Sequence, residues 1–379
     1  MKKVIEASEA VAMAVRLCRP AVIPMYPITP QTHIVERLAD YIHDGELDSL
    51  MLNAESEHSA ISAAIGAQAT GVRTFTASAS QGLALMHEVL FIASGLRLPI
   101  VMAVANRALS APINIWNDHQ DSISERDSGW IQLYVESSQE ALDTVIMAYK
   151  IAEHQKVMLP VMVCLDGFTL SHVFEPVDIP EQAKVDSFLS SYRPKYRLDP
   201  EKPITVGPIS FPDSFMHFKK QQQDAMMAAA GIISSVNSEF QARFKRSYGN
   251  GLIDTYRMED ARYAVIAMGT VCGTARLVID ELRKKGKKIG LIKLKCLRPF
   301  PKNDLIKISA KLKCIAVIDR DISLGFEGAV YSDVRSALYK SRAIVNGYIM
   351  GLGGKDITSQ DIQRVAQSLD KKHQSQWVE

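Results

Sequence analysis

The sequence predicts an α/β protein built on parallel sheets, and three observations carry that reading. Short apolar runs alternate with stretches of helical spacing through residue 170. The run 98–105 is apolar without interruption, as a strand buried on both faces must be. The same alternation resumes near Asp260, after a segment in which the period is lost. The 379 residues suffice for two or three cores. The pattern divides them into a first unit at 1–175, a connector with a bridging helix at 176–258, and a second unit at 259–379.

Residues 7–17 have helical spacing, with Ser8 as cap and Val11, Val15 and Leu17 on one side. A strand at 21–25 runs into Tyr26-Pro27-Ile28-Thr29-Pro30, where two prolines fix φ and remove two donors, so the turn is stiff. The spacing predicts a helix over 31–42 with Ile34, Leu38 and Tyr41 inward, and a strand over 49–53. A helix over 56–70 is rich in Ser, Ala and Gly, so its axis can approach a neighbour closely; Gly71 ends it. A strand at 72–77 opens through Ser78-Ala79-Ser80-Gln81-Gly82 onto a helix at 83–93, and such a turn offers free N–H groups. Asn106-Arg107 leaves the strand 98–105, and a polar loop of unusual length covers 110–130. A helix at 138–155 and a strand at 157–165 close the first unit, ending in Asp166-Gly167-Phe168. Proline-rich residues 175–214 read as an extended connector. The helical stretch 216–246, with Lys219 to Gln223 exposed, reads as a solvated bridge. The second unit alternates strands at 263–268, 288–294, 314–319 and 343–350 with helices at 275–285, 303–311, 331–339 and 358–369. Leu297-Arg298-Pro299-Phe300-Pro301 is a stiff turn in it, and Gly351-Leu352-Gly353-Gly354 ends its last strand.

Composition excludes several classes. Net charge is +2, which supplies no basic patch for nucleic acid or an anionic membrane. No apolar stretch is long enough to span a bilayer, and residues 1–6 turn acidic without a signal-peptide core, so a cytoplasmic protein is expected. Cys18, Cys164, Cys272, Cys296 and Cys314 form no C-x-x-C pair, which argues against an iron–sulfur or zinc site made by this chain alone. Free buried thiols are the expectation.

Thr29, Glu57 and Arg107 each follow an apolar run. In a parallel sheet those ends share one edge, so a hydroxyl, a carboxylate and a guanidinium converge on one crevice. Four stretches carry a family resemblance: 26–30, the run from Glu55 to Ala60, Thr76-Ala77-Ser78-Ala79-Ser80-Gln81-Gly82, and Pro112 to Asp121. With 297–301 and 351–354, they resemble the α subunits of pyruvate:ferredoxin oxidoreductases and, more broadly, the 2-oxoacid:ferredoxin oxidoreductases. The likeness spans nearly the whole chain.

The resemblance implies a thiamine diphosphate-binding domain of the pyrimidine type followed by a domain like the C-terminal one of transketolases. The implied reaction is oxidative, reversible decarboxylation of pyruvate with CoA, with electrons passed to ferredoxin. Glu57 matches the glutamate that shares a proton with N1′ of the aminopyrimidine. A carboxylate at a helix start in apolar surroundings suits that task, although alone it would read as a helix stabiliser. Glu55 is its rival. Arg107 matches the arginine that grips the 2-oxoacid carboxylate bidentately, the bland alternative being an ion pair with Asp118 or Asp121. Thr29 matches a hydroxyl beside the substrate. Ser80, Gln81 and Gly82 would line the pyrimidine pocket, and Asn117, Asp118 and His119 would order the loop.

The diphosphate and its magnesium need a Gly-Asp-Gly segment with Asn about 25–30 residues later. Asp166-Gly167 is the nearest approach, and no Asn follows until Asn237. No G-x-G-x-x-G fingerprint follows a strand either. No metal ligands are therefore expected on this chain. A β subunit is expected to bring the other half of a shared cofactor site with Mg²⁺. Further partners, the γ and δ subunits, would complete the carriage of [4Fe–4S] clusters and the ferredoxin contact. The alternatives are the same role on 2-oxoisovalerate or 2-oxoglutarate, a non-catalytic scaffold subunit, and a self-sufficient thiamine or nucleotide enzyme.

Overall fold

A computed structural model describes residues 1–379, the side chain at position 370 excepted. The first unit runs β1 (Lys2–Glu6), α1 (Ala7–Cys18), β2 (Val22–Met25), α2 (Thr32–His43), β3 (Leu50–Asn53), α3 (Glu57–Ala69), β4 (Phe75–Ser78), α4 (Ser80–Leu85) and α5 (His87–Gly95). It continues with β5 (Val101–Asn106), α6 (Gln120–Ser124), β6 (Ile131–Tyr134), α7 (Ser138–Ala152) and β7 (Val161–Asp166). Strands β6, β7, β5 and β4 pair parallel in that order. The parallel pair β2–β3 continues the layer through a bridge between Val22 and Thr74. Every carboxyl end therefore opens on the same edge, and the loops that follow β2, β3, β4 and β5 meet there.

Then come β8 (Phe174–Asp178), α8 (Gln182–Phe188) and α9 (Pro212–Phe244). The second unit is β9 (Ile253–Tyr256), β10 (Tyr263–Ala267), α10 (Val271–Lys284), β11 (Ile289–Leu294), β12 (Cys296–Arg298), α11 (Lys302–Ser309), β13 (Cys314–Asp319), α12 (Ala329–Ala337), β14 (Ile344–Ile349), α13 (Ser359–Gln367) and β15 (Gln376–Trp377). Its sheet order is β15-β14-β13-β10-β11-β9, parallel except for the antiparallel edge strand β9.

The structure corrects several readings of the sequence. Residues 2–6 form a strand that pairs antiparallel with β8, so part of the supposed connector is sheet. Ser8 lies inside α1; Glu6 holds the N-cap position, without a side-chain capping bond. The loop 110–130 contains α6, and the expected helix at 83–93 is two helices that meet at Met86. The turn at 297–301 begins as β12, which leaves its own sheet and pairs antiparallel with β6. The bridging helix is not a solvated one. Ala225, Ala229, Ile233, Val236, Phe240 and Phe244 of α9 form a buried stripe that joins the first core. Phe188 meets Phe240 edge-on at 5.5 Å, and Phe240 stacks on Phe244 at 4.2 Å. The polar composition hid this stripe because it occupies only the second half of a long helix; Lys219 to Gln221 are exposed.

A buried ionic cluster joins the two units. The Lys293 ammonium on β11 bonds Glu140 of α7, and Lys295 Nζ bonds the same carboxylate at 2.7 Å and Thr144 at 2.9 Å. Burial pushes the Glu140 carboxyl up, but the two cations outweigh it and hold it at about 2. All five cysteines are free and buried. Among the described residues no helix is long and apolar enough to cross a membrane.

Candidate active site

The turn 26–30 is tied to the sheet by a buried glutamine. Gln31 donates Nε2–H to Ala77 O at 2.8 Å, and its Oε1 accepts from Ile28 N at 3.3 Å. Thr29 is thereby held at the edge with its side chain exposed.

Glu57 is the first residue of α3, capped by Ser56, whose Oγ accepts from Ser59 N at 3.2 Å. Glu57 is only 6% exposed, yet among the described residues no hydrogen bond or ion pair reaches its carboxylate. The rival Glu55 is exposed and occupied by a hydrogen bond from Ser59 Oγ. Behind Glu57 lies Gly82. A methyl there would collide with Glu57 Oε1 and stand 2.7 Å from Ser78 Oγ, a buried hydroxyl that itself has no partner. The wall of this pocket is thus glycine by necessity. The partnerless Ser78 hydroxyl and the Glu57 carboxylate border the same small space.

Ser80 takes a left-handed conformation (φ 47°). Its N–H donates to Asp121 Oδ2 at 2.9 Å and its hydroxyl to Ala108 O at 2.6 Å. Gln81 is exposed, and its Oε1 accepts from Ser110 N at 3.1 Å. Both side chains hold the following loop rather than standing free in the pocket.

Asp121, which the sequence did not single out as a structural centre, organises that loop. It accepts from the backbone N–H of Ser80 and Arg107, both at 2.9 Å, and from Asn106 Nδ2 at 2.7 Å. Burial pushes its carboxyl up to about 6, and these donors limit the rise. Arg107 is 9% exposed and forms no ion pair among the described residues. The expected alternative, a pairing with Asp118 or Asp121, is not made. Its guanidinium donates instead to two carbonyls, Asn114 O at 3.1 Å through Nε and Thr29 O at 3.0 Å through Nη1. Nη2 carries no protein partner, so a full charge and a free donor remain at the edge.

Asp166, the nearest approach to a metal motif, is committed elsewhere. His119 Nε2 donates to its Oδ1 at 2.8 Å, and Arg320 Nη1 and Thr270 N donate to its Oδ2 at 2.8 Å each. Burial alone would push this carboxyl up; Arg320 and His119 overcome it and hold it well below the usual carboxylate range. Among the described residues no group of three or more His, Cys, Asp or Glu could hold a metal ion.

A buried free carboxylate faces a glycine wall, and an unpaired guanidinium stands on the same carboxyl edge. The profile described as pyruvate flavodoxin/ferredoxin oxidoreductase, thiamine diphosphate-binding, matches residues 13–238, and that of pyruvate:ferredoxin oxidoreductase core domain II matches 261–362. Pyruvate synthase subunit PorA of Methanocaldococcus jannaschii is 56% identical over 97% of this chain and 95% of its own length. Ketoisovalerate oxidoreductase subunit VorA of Pyrococcus horikoshii is 45% identical over 98% and 94%. A solved 2-oxoglutarate:ferredoxin oxidoreductase from Magnetococcus marinus, with 2-oxoglutarate, coenzyme A and succinyl-CoA bound, shares the fold. Its TM-score is 0.74 at 19% identity, over 97% of this chain and 65% of that one. The fold and these relatives define a 2-oxoacid:ferredoxin oxidoreductase subunit with a thiamine diphosphate-binding domain. The chain belongs to the pyruvate:ferredoxin oxidoreductase family.

Proposed function

We propose that this chain is the α subunit of a pyruvate:ferredoxin oxidoreductase, catalysing reversible conversion of pyruvate and CoA to acetyl-CoA and CO₂ with electrons leaving to ferredoxin. The observation that carries the reading is the Glu57 carboxylate, buried without a partner against Gly82. It is shaped to receive a donor from outside the chain, and the aminopyrimidine of thiamine diphosphate offers one. The cofactor when bound supplies the electron sink that decarboxylation of a 2-oxoacid requires. Glu57 holds and shares the proton at N1′, Ser78 and Gly82 back it, and Arg107, with Thr29 beside it, binds the substrate carboxylate. On this reading diphosphate, Mg²⁺ and [4Fe–4S] clusters belong to the β and other partner subunits; the commitment of Asp166 to Arg320 and the scattered, buried cysteines support it.

A methyl at position 82 tests the pocket. Gly82→Ala is expected to push the carboxylate off its place and lower kcat about 10²-fold, the scale of a misplacement near 1 Å. Overpacking would cost only about 1–3 kcal/mol of stability. Steady-state kinetics beside a urea melt checks both.

Substrate choice is tested by CoA-dependent viologen reduction in the complex reconstituted with its partner subunits. Pyruvate is expected to give the highest kcat/KM, by about 10-fold or more over 2-oxoisovalerate and 2-oxoglutarate, since each methylene is worth about 1–3 kcal/mol in an apolar pocket. The VorA relative favours a second reading, the same role with 2-oxoisovalerate, and a preference for that acid would replace the first. In the same assay Arg107→Lys is expected to raise KM for the 2-oxoacid about 10–100-fold, because an ammonium cannot make two parallel bonds to a carboxylate.

A further inference from the structure

We infer that the glycine turn at 351–354 of the second unit is a positioning element for Arg107 and thereby sets affinity for the 2-oxoacid. The inference rests on the assignment of Arg107 to the substrate carboxylate.

No carboxylate holds the Arg107 guanidinium; its direction is set by the carbonyls of Thr29 and Asn114. Thr29 is fixed by its own unit through the stiff turn and Gln31. Asn114 lies in an irregular loop whose large apolar side chains, Ile113 and Trp116, are exposed, so no core packing holds it. What holds it comes from far along the chain. Asn114 Nδ2 donates to Gly353 O at 3.0 Å, while its Oδ1 accepts from Trp116 N at 2.7 Å. Asp118 Oδ2 accepts from Gly353 N at 2.9 Å. Both backbone groups of one glycine are thus taken by the loop.

Two further ties lie beside this one. Arg320 Nη2 donates to Asn117 O at 3.2 Å, and Arg320 O accepts from His119 N at 2.8 Å.

The turn accepts this loop only as glycine. Gly353 and Gly354 have φ of 58° and 79°, where side chains are strained. A Cβ on Gly353 would collide with Asn114 Nδ2, and one on Gly354 would collide with Trp116 Cβ. Conformation and contact independently demand the same residue at both positions. A continuous path of bonds therefore leads from the second unit through Asn114 to the guanidinium. The Glu57 pocket lies outside that path.

The experiment compares Gly353→Ala, Asn114→Asp and Arg107→Lys in the reconstituted complex. Asn114→Asp replaces the donor to Gly353 O with an acceptor but keeps the oxygen that serves Trp116 N. It therefore tests the tie without straining the backbone. Both Gly353→Ala and Asn114→Asp are expected to raise KM for pyruvate about 10-fold, with kcat changed less than about 3-fold and thiamine diphosphate affinity unchanged. Amide exchange is expected to quicken at Ala108, Trp116, His119 and Gly353, whose N–H groups are bonded within and across this loop, and not outside it. If Arg107→Lys raises KM while Asn114→Asp leaves it at the wild-type value, the inference is overturned and the substrate assignment stands. If Arg107→Lys leaves KM unchanged, the assignment itself fails. A uniform fall of kcat with global loss of exchange protection would mean a merely structural turn, and would also overturn the inference.

Discussion

Glu57→Gln is expected to lower kcat of the reconstituted complex by about 10²–10⁴-fold, the range that a positioned proton-sharing group contributes. The substitution keeps shape and volume and removes the ability to share a proton. Among the described residues no partner is lost, because the native carboxylate has none. Stability should therefore not fall, because removing a buried charge pushes in the stabilising direction. Assembly with partner subunits should be unaffected. Turnover and a thermal melt on the same preparation decide the matter. Unchanged turnover would make the chain a scaffold and would remove the central claim about the site. A large loss of stability would show instead that the carboxylate has a structural partner.

The second large effect is expected at the junction of the two units. Arg320→Met should destabilise the chain by about 3–5 kcal/mol at neutral pH, because it strands the buried carboxylate of Asp166 with one cation fewer. The effect has a pH signature. Asp166 is held well below the usual carboxylate range in the folded chain. Its stabilising contribution is thus complete above the unfolded value of about 3.9 and is lost as pH falls below that toward the depressed folded value. Wild type and variant should therefore differ most at neutral pH and converge in acid. Urea unfolding at pH 7 and below pH 4 measures this; a gap that widens in acid would contradict the assignment of Arg320 as the group that holds Asp166.

Much of the fold was legible because it is written in local patterns. The apolar run of β5, the helical spacing of α2 with Ile34, Leu38 and Tyr41 inward, and the alternation of the second unit are properties of short windows. The motif stretches pointed to Glu57, Arg107 and Thr29 because each lies just beyond the carboxyl end of a strand and matches the resembled family. The stripe on α9 was misread because its period covers only half of a polar helix. Strand β1 was missed because only its end is buried and its pairing partner, β8, lies in a proline-rich stretch. At the site, the chain alone could not tell whether Arg107 is free or paired with Asp118 or Asp121. Asp121 is spent on backbone N–H groups and Asn106, which only folded coordinates reveal.

Local sequence was enough to place most of the strands and helices, the loops that leave the sheet's carboxyl edge, and the family resemblance those loops carry. All of these depend on residues close together in the chain, where spacing and backbone preference act directly. Tertiary structure alone decided how those loops are held. Arg320 reaches Asp166 across 154 positions and Asn114 reaches Gly353 across 239, and no local window contains both partners. Buried polar groups must find a counterpart wherever the fold brings one. The second unit therefore serves as the frame on which the loop of the first is stretched.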